Sequence, residues 1–422
     1  MSSLQFTDCN GLGGFLSLGF VQSGMELQHR TGTLKFGNTL AGNNRHLLGE
    51  KWDYNFSDEP SSWSRPKGTD VVIGCPPCSG WSLWSSPADR GVDSKAHDHA
   101  KAFMEYVGRV APKVAVFECV QQAYIDGRHA MLAYRDTVET LSGKKYDLYH
   151  VKHNNLKLGG FSYRPRYFWV IVRAGMKFSV SNIDPLSIPR ITDVIGDLAQ
   201  LPQTWEKQSY SNVGKSHSGA VIKHLLSKDN KVDGHIGKTN IHAQRLHDVF
   251  EIIGNDGWPG NADLSYALKK AVDARDGVFP DSWIDISPRV IRKDFKLGFS
   301  QPYRWKKNSW CNVLTGAALD HVIHPTEPRL ITHREAARIQ GLPDSWNIEL
   351  SKDYSQLAAV WGKAVAVQPS RWIADAIKNS IEGGESLGDS GEKIGTREYL
   401  IDADKGFSRP YAKKKYFTEV TK

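Results

Sequence analysis

The sequence predicts an α/β protein built on a doubly wound, mostly parallel sheet. Apolar strand-like segments alternate with segments of helical period, which is typical of this fold class. A glycine-rich turn follows the first strand within residues 4–20. The strand-like segments 70–82 and 114–122 carry Cys78 and Glu118, whose side chains can act in catalysis. Because ligands bind at the carboxyl ends of strands in such sheets, these three segments are expected to meet there.

Length and composition limit the classes of protein to which the chain can belong. The chain has 422 residues, enough for two or three domains with a large buried core. Lysine and arginine exceed aspartate and glutamate by 54 to 46, which gives a net charge of +8 and suits a polyanionic partner. Residues 1–18 lack a signal-peptide pattern, and the chain has no apolar run of about eighteen residues, so we expect a cytoplasmic protein without a membrane span. Its five cysteines lack framework spacing and fit a reducing compartment.

The first element is a strand followed by a glycine-rich turn and a helix. The turn contains Gly11, Gly13 and Gly14, and the helix begins near Phe15. Glycines at a helix N-terminus let the backbone approach a ligand closely, so this turn is a candidate nucleotide-binding loop. A lone turn of this kind is a weak signal, because many are only turns.

The second element is a strand that runs into the stiff segment Cys75-Pro-Pro-Cys78. The two prolines fix backbone dihedrals and lack N–H groups, and glycines on either side allow sharp bends. A thiol held rigidly at a strand end is well placed to act as a nucleophile, and Cys78 is the candidate. The alternatives are a Cys75–Cys78 redox pair and, less favoured, a zinc site, for which the other cysteines are too isolated.

The next elements supply an acid and a pair of arginines. Residues 95–110 carry apolar side chains at helical spacing and are expected to pack on the sheet. The following strand ends at Glu118, and residues 146–172 form a strand, a turn and a second strand that contains Arg164 and Arg166. Alternate residues of an extended segment share a face, so these two guanidiniums can bind a phosphate or a carbonyl together.

The composition and the hydrophobic periodicity of the remaining chain change twice. From 174 to 324 periodicity weakens and basic residues alternate with aromatic ones, which indicates a second domain able to read a nucleic-acid groove. Thr332 and Glu335 then form a capping-box pattern at the start of a short helix. From 384 to 422 glycine, serine and charged residues dominate, which predicts a tail, partly disordered.

These segments together resemble the DNA cytosine-C5 methyltransferases of prokaryotic or phage type. Gly74-Cys-Pro-Pro-Cys-Ser-Gly-Trp-Ser82 is similar to the family's G-x-P-P-C-Q-G-[FW]-S, and Arg329-Leu-Ile-Thr-His-Arg-Glu-Ala-Ala-Arg-Ile-Gln-Gly-Leu-Pro-Asp344 to its R-x-L-T-x-R-E-A-A-R-L-Q-G-F-P-D. Weaker family blocks occur in the same order, so the resemblance covers about residues 4–377.

The resemblance implies a class I methyltransferase fold, which is Rossmann-like, with an inserted target-recognition domain. Residues 1–173 would form the cofactor-binding and catalytic domain, 174–324 the target-recognition domain, 325–383 the return segment and 384–422 the tail. It also implies double-stranded DNA as partner, base flipping, a role in restriction-modification, a monomer and no metal ion.

Roles for single residues follow from the resemblance. Cys78 would attack the cytosine ring, Glu118 would share a proton at N3, and Arg166 would hold the carbonyl. Arg164 would orient the loop or a phosphate. The cofactor would be S-adenosyl-L-methionine, and the residues implied to bind it are Asp8, Gly11, Gly13, Gly14, Phe15, Asp53, Pro76, Lys363 and Val365. For the adenine amino group, Glu50 and Asp58 compete with Asp53.

The sequence departs from the family pattern at several positions. The aromatic residue expected against the adenine is replaced by Cys9 or Asn10, and residues 25–32 carry no acid at the place where the family grips the ribose. Cys119 stands where an asparagine is expected after the catalytic glutamate, and Ser162 replaces a glutamine. These changes also keep open a catalytically silent DNA-binding homologue.

Lys363 also replaces an asparagine, one that lies beside the transferred group in the family. A lysine there would repel the sulfonium of the ordinary donor unless a carboxylate lay between them. Carboxy-S-adenosyl-L-methionine carries such a carboxylate, and its product would be 5-carboxymethylcytosine. Lys363 could equally pair with the amino-acid carboxylate of the ordinary donor, so methyl transfer is the first reading and carboxymethyl transfer the alternative.

Overall fold

A computed structural model describes residues 3–34, 39–76, 78–81, 95–185, 187–198, 303–305, 307, 309–314, 322–326, 331–348, 360–408 and 415. The chain divides into two compact units. The first comprises Met1–Ser187, Ser345–Glu349 and Ala364–Thr418, and the second comprises Ile188–Asp344, Leu350–Lys363 and Glu419–Lys422. Residues 199–302, most of the predicted target-recognition domain, lie outside the described part of the chain.

The first unit is built on a nine-stranded sheet. The described strands of the chain are β1 Gln5–Cys9, β2 Glu26–Gly32, β3 Asp53–Phe56, β4 Val71–Gly74, β5 Val114–Val120, β6 Tyr146–Asn154, β7 Ser162–Tyr163, β8 Pro165–Arg173, β9 Val180–Ser181, β10 Tyr303–Arg304, β11 Cys311–Asn312, β12 Val322–Ile323, β13 Gly388–Asp389, β14 Glu392–Gly395 and β15 Glu398–Asp402. The sheet has the order β14-β15-β6-β8-β5-β4-β1-β2-β3. Only β8 and β14 run against the others, so the predicted mostly parallel sheet is confirmed.

Helices cover both faces of this sheet. The described α-helices are α1 Phe15–Gln22, α2 Thr39–Gly42, α3 Arg45–Leu48, α4 Asp98–Val110, α5 Gln121–Ser142, α6 Ile191–Ile195, α7 His333–Ile339 and α8 Val367–Glu382. Cys9 lies in the apolar core formed with α4 and α5, whereas Phe6 contacts Phe20 of α1 with 5.4 Å between ring centroids. Because side chains alternate along a strand, α1 lies on the face opposite α4 and α5. Helix α8 packs against α1, as the doubly wound prediction requires.

Strand order reverses at β1, which lies between β2 on one side and β4 on the other. At such a switch point the loops after the two central strands diverge and leave a crevice at their carboxyl ends. The loop after β1 is the glycine-rich turn, and the loop after β4 carries Cys78. The fold therefore places the candidate cofactor loop next to the candidate nucleophile.

The C-terminal segment differs from the predicted tail. Strands β14 and β15 form a hairpin, and β15 extends the large sheet by parallel pairing with β6. Ion pairs anchor this polar hairpin to the rest of the unit. Arg128 of α5 donates to the Glu398 carboxylate at 2.7 and 2.8 Å. The ring Nε2 of His150 also lies 2.8 Å from Glu398. Composition alone therefore misled the prediction for the residues of this hairpin.

The boundaries of the first unit also differ from the predicted domains. The unit extends to Ser187 instead of ending at residue 173, because β9 pairs with β13 of the C-terminal segment. Helix α7 groups with the second unit, and the first unit resumes only at Ser345–Glu349 and Ala364. Residues 325–383 are thus shared between the two units.

The described parts of the second unit include α6, α7 and the parallel pair β10–β12. The predicted capping box begins α7: the Glu335 amide donates to the Thr332 hydroxyl at 3.1 Å, and the Thr332 amide donates to the Glu335 carboxylate at 2.8 Å. Arg338 in the last turn pairs with Asp344 at 2.6 Å and also contacts Asp197. In neither unit does a described helix combine the length and apolarity of a membrane span.

Candidate active site

The loop after β4 carries Cys78 to the carboxyl edge of the sheet. Every residue of β4 is buried, and so is Cys75, whereas Cys78 is partly exposed. The Trp81 amide donates to the Cys78 carbonyl at 3.0 Å and closes a 3₁₀ turn. The Trp81 indole lies so close to Gly127 of α5 that a Cβ there would come within 2.9 Å of it. This tight packing fixes the end of the loop that follows the thiol.

The two cysteines of the loop have different environments. Burial raises the pKa of Cys75 well above its ordinary value. A hydrogen bond from the Cys119 side chain lowers the pKa of Cys78, and a bond from the Val120 amide acts in the same direction, while burial and Glu118 oppose it. Cys78 is therefore the thiol of this loop that ionises more readily. All five cysteines of the chain are free thiols.

Glu118 lies at the carboxyl end of β5, the strand beside β4, and is buried. The guanidinium Nε of Arg166 lies 3.3 Å from Glu118 Oε1, and that of Arg164 lies 3.6 Å from the same atom. Residue 166 sits opposite Val120 in the antiparallel pairing of β5 and β8, which explains why both arginines reach this carboxylate. The structure thus brings together three of the four predicted catalytic side chains in direct contact.

The electrostatics of this group reflect two opposing effects. Burial raises the pKa of Glu118 above its ordinary value, although Arg164 and Arg166 both act to lower it. Burial, followed by the charge of Arg166, lowers the pKa of Arg164 to about 10. A carboxyl whose pKa is raised next to two cations can give or share a proton with a bound base and still be held in a fixed position.

A buried histidine adjoins this group and was not predicted. His153 of β6 lies opposite Arg166 of β8, and its ring stacks on Phe168 with 4.4 Å between centroids. Neither ring nitrogen has a hydrogen-bond partner within the described part of the chain. Burial, and then the charges of Arg166 and Arg164, hold its pKa well below the ordinary value, so the ring is neutral. Only the pairing of β6 with β8 reveals its position.

Asp8, in β1, supports the glycine-rich loop through hydrogen bonds and a close contact with Gly11. Ser17 donates to Asp8 Oδ2 at 2.5 Å, and Arg30 of β2 donates to the same oxygen at 3.0 Å and also to the Gly11 carbonyl. A Cβ on Gly11 would lie 1.9 Å from Asp8 Oδ1, so only glycine fits over the carboxylate. Asp8 therefore shapes the loop, and its partner Arg30 was not foreseen because β2 lacks any motif that marks it.

The glycine-rich loop leads directly into the N-terminus of α1. Gly13 and Gly14 have φ of 67° and 86°, a conformation that favours glycine. No side chain caps the N-terminus of α1, so its first turn presents backbone N–H groups at the edge of the sheet. A carboxylate is stabilised at such a helix end by these donors and by the helix dipole.

The residues at the ends of β1 and β2 differ from the family pattern. Asn10 does not offer a stacking ring, and its side-chain oxygen accepts from the Thr33 amide at 3.0 Å. The residues that follow β2 are Thr33 and Leu34, and Leu34 is 60% exposed. Leu34 is thus an exposed apolar side chain just after β2. Asp58 accepts from the Leu34 amide at 3.1 Å.

Of the remaining predicted cofactor residues, Phe15, Pro76 and Val365 are buried, whereas Asp53 is exposed. Asp53 is exposed at the start of β3, about 10 Å along the strand from the carboxyl edge, so the structure does not bring it to the site. Phe15 is buried and meets Trp346 edge-on at 5.8 Å. Pro76 is buried in the loop before Cys78, and Val365 is buried just before α8.

Lys363 is exposed and is the last residue of the second unit before the first unit resumes at Ala364. The four predicted catalytic residues and the glycine-rich loop all belong to the first unit. As for metal ions, no cluster of three or more histidine, cysteine, aspartate or glutamate side chains occurs among the described residues. The candidate site contains a thiol, a carboxyl group and two guanidiniums.

A family model for C-5 cytosine-specific DNA methylases matches residues 11–379. The type II methyltransferase M.XorII of Xanthomonas oryzae pv. oryzae is 27% identical over 298 residues, which are 67% of this chain and 62% of that protein. A putative type II methyltransferase of Oceanobacillus iheyensis is 24% identical, with 90% of this chain and 95% of that protein covered.

Solved structures show the same fold. A putative DNA modification methyltransferase encoded within a prophage of E. coli superposes with a TM-score of 0.54 and 18% identity, covering 90% of this chain and all of that one. The Entamoeba histolytica methyltransferase EhMeth gives a TM-score of 0.50 with 10% identity, covering 90% of this chain and 99% of that one. Since the family model covers most of the chain, the chain belongs to the C-5 cytosine-specific DNA methylases, a family of transferases.

Proposed function

We propose that this protein transfers a methyl group to C5 of a cytosine in double-stranded DNA through a covalent adduct on Cys78. One observation carries the proposal: Cys78 stands at the end of β4 beside a buried Glu118 that contacts Arg166 and Arg164. A thiol of lowered pKa, a proton donor and a cation are the groups needed to activate a cytosine ring, and here they lie on adjacent strands.

Each group has one task in the reaction. The Cys78 thiolate adds to C6 of the ring, and Glu118 gives a proton to N3, which places electron density on C5. Arg166 holds the exocyclic oxygen, and Arg164 keeps Glu118 in position. C5 then takes the methyl group and a base removes the C5 proton. Loss of the sulfur from C6, with return of the N3 proton to Glu118, restores the ring, the acid and the thiolate.

The methyl donor is S-adenosyl-L-methionine in this proposal. When bound, it supplies a methyl group attached to a sulfonium sulfur, and that sulfur becomes a neutral thioether once the methyl group has been transferred. Gly11, Gly13 and Gly14 let the loop approach the donor, and the open N-terminus of α1 can hold its carboxylate. Leu34 offers an apolar contact for the adenine in place of the family's aromatic residue.

The substrate is a base inside duplex DNA, so it must leave the stack to reach Cys78. Flipping costs a few kcal/mol, which contacts with phosphates help to offset. The net charge of +8 supports such contacts. Because relatives are named type II methyltransferases, we also propose a role in DNA modification of the restriction-modification kind in a bacterial or phage-infected cell.

A covalent trap tests the mechanism. Duplex DNA containing 5-fluorocytosine lacks the C5 proton that must leave, so the adduct should persist through denaturing electrophoresis when the donor is present. Cys78→Ser should form no adduct, since a hydroxyl is hardly ionised at neutral pH, whereas Cys75→Ser should retain most of it. Equal loss in both variants would restore the redox-pair interpretation. Binding of the same DNA by the wild type with no adduct would indicate a catalytically silent homologue.

A carboxylated donor is a second candidate on the sequence pattern alone, because Lys363 stands where the family has an asparagine beside the transferred group. A charged hydrogen bond from its ammonium to an added carboxylate would favour carboxy-S-adenosyl-L-methionine by roughly tenfold or more. The product separates the two donors: digestion of DNA modified in vitro with each donor yields either 5-methylcytosine or the heavier 5-carboxymethylcytosine. Formation of 5-methylcytosine alone, with Lys363→Asn unchanged in donor choice, rejects the carboxylated donor.

A further inference from the structure

Arg164 lies just beyond the sheet ladders that hold the arginine-bearing strand β8. The pairing of β6 with β8 ends at Asn154 and Pro165, and the pairing of β5 with β8 ends at Arg166. Proline has no N–H group and cannot donate a hydrogen bond to a ladder. The Arg164 side chain is nevertheless 3% exposed, with its Nε 3.6 Å from Glu118. Pairing within the nine-stranded sheet therefore does not fix the backbone of Arg164.

Asn155, the first residue after β6, is bonded to two residues of the segment that enters β8. Its backbone N–H donates to the Arg164 carbonyl at 3.2 Å, and its side-chain Nδ2 donates to the Ser162 hydroxyl oxygen at 3.0 Å. Asn155 is fully buried and Ser162 is 2% exposed, so water does not compete for either bond. One asparagine thus ties the end of β6 to both Ser162 and Arg164.

The turn between these residues confines the Asn155 side chain. The Gly160 amide donates to the Asn155 carbonyl at 2.8 Å and closes the turn. A Cβ on Gly160 would lie 1.9 Å from Asn155 Oδ1, so the asparagine side chain occupies the space that any larger residue at position 160 would need. The amide group is therefore held between Gly160 and Ser162, with Nδ2 directed at the Ser162 hydroxyl.

Packing alone does not account for an asparagine at position 155. Its Oδ1 has no hydrogen-bond partner among the residues that the structure describes. A buried acceptor without a donor is unfavourable, so an apolar side chain of the same size would suit a purely structural position better. What the asparagine adds is the Nδ2 donor, and its acceptor is Ser162, the residue that stands where the family pattern has glutamine.

We propose that Asn155 and Ser162 are positioning residues for the two arginines of the site. Their side-chain hydrogen bond, together with the bond from the Asn155 amide to Arg164, holds the start of β8 so that both guanidiniums stay against Glu118. The proposal rests on the proposed function, in which Arg166 holds the cytosine oxygen and Arg164 positions Glu118. It gives a task to two residues that the reaction scheme does not use.

The test compares variants of this pair with a matched control in the full chain. Asn155→Ala and Ser162→Ala each remove one partner of the side-chain bond, and the double variant removes both. Asn379→Ala is the control, because Asn379 closes a turn of the same form at the end of α8. Its Nδ2 donates to the Glu385 carbonyl at 2.8 Å, and its carbonyl accepts from the Gly384 amide at 2.9 Å. A Cβ on Gly384 would lie 2.0 Å from Asn379 Oδ1.

The first measurement follows hydrogen exchange by peptide mass, without DNA or donor. Exchange in residues 161–167 should be faster by about tenfold in Asn155→Ala and in Ser162→Ala, because loss of the bond lets the start of β8 open more often. In Asn379→Ala only the peptides around residues 379–385 should exchange faster. Unchanged exchange at 161–167 in both single variants would overturn the proposal.

The second measurement is the rate of 5-fluorocytosine adduct formation with the donor present. At saturating DNA both single variants should be about tenfold slower than the wild type, while the DNA concentration that gives half the maximal rate changes by less than about twofold. The double variant should be no slower than the slower single variant, since the same bond is lost in all three. Asn379→Ala should keep the wild-type rate.

Each contrary result has one meaning. A full adduct rate despite faster exchange would overturn the positioning role and leave the pair as support for the turn alone. Equal slowing in Asn379→Ala would overturn it too, because the loss would then follow general destabilisation, and so would effects that multiply in the double variant. Since exchange needs no methyl transfer, faster exchange in the variants with no adduct in the wild type refutes the proposed function alone.

Discussion

At the scale of single residues, Glu118 shows how burial and charge together prepare an acid. Removal from water favours the neutral carboxyl and raises its pKa, while Arg164 and Arg166 favour the ionised form. The effect of burial is the larger one, so the pKa of Glu118 is raised overall, which favours the sharing of a proton with a bound base. The two arginines at 3.6 and 3.3 Å also fix the direction in which the carboxyl points.

Replacing Glu118 by glutamine should therefore slow formation of the 5-fluorocytosine adduct by about 10²-fold or more, because an amide keeps the shape but cannot donate its proton in the same way. The rate is measured by sampling the trap at short times with saturating DNA. Glu139→Gln serves as control, since Glu139 is a buried carboxylate that pairs with Lys145 at 2.9 Å and takes no part in the site. A full rate in Glu118→Gln would show that the carboxyl only positions its neighbours.

The site could be predicted from the sequence where a residue's role depends on its own strand. Cys78 follows a recognisable strand, Glu118 lies near the end of another, and the Arg164–Arg166 spacing places both arginines on one side of an extended segment. Arg30 and His153 could not be found in this way. Their roles depend on which strand lies beside which, and that information arises only when β2 pairs with β1 and β6 with β8.

At the scale of elements, the C-terminal hairpin shows how a polar segment can be ordered. Glu398 is 2% exposed and binds Arg128 from α5 and His150 from β6, residues that are distant in sequence. Arg397 of the same turn pairs with Glu139. Composition predicted a tail because it counts apolar residues, whereas this hairpin is attached through charges whose partners lie in other elements. Such contacts cannot be read from the segment alone.

Removing the Glu398 carboxylate should loosen this hairpin. Glu398→Ala leaves the buried His150 ring and the Arg128 guanidinium without their acceptor, and breaking a buried pair costs on the order of 3 kcal/mol. Urea denaturation of the full chain measures the loss, with Glu392→Ala as control because Glu392 is an exposed residue of the same hairpin. Equal stability of the two variants would mean that the hairpin is held by backbone pairing alone.

At the scale of the whole molecule, alternation of strands and helices was enough to predict the doubly wound sheet and its crevice. It was not enough to predict where each unit ends, because β9 pairs with β13 across a long stretch of chain. Acid stability is a further property of the whole chain, set by groups that burial keeps neutral. Burial lowers the pKa of His150 to about 4 and of His333 to about 3.

These histidines fix the sign of the pH dependence. In the unfolded chain they bind protons near pH 6.5, but in the folded chain they bind them only near pH 4 or below, so unfolding takes up protons between these values. Stability is then fully present above pH 6.5 and decreases as the pH falls toward 4. Asp404 acts in the opposite direction, because burial raises its pKa to about 7 and its protonation favours the folded form.

We expect the histidines to dominate, since His153 adds to them with a pKa also held well below its ordinary value. The urea midpoint of the full chain should decrease steadily between pH 6.5 and pH 4.5. His333→Gln should flatten this decrease, because a glutamine can still accept from the Trp361 indole, now 2.9 Å from the ring, without taking up a proton on unfolding. Asp404→Asn should steepen it, since the opposing group is lost. A midpoint that stays constant or increases toward pH 4.5 in Asp404→Asn as well as in the wild type would contradict the neutral buried state assigned to these rings.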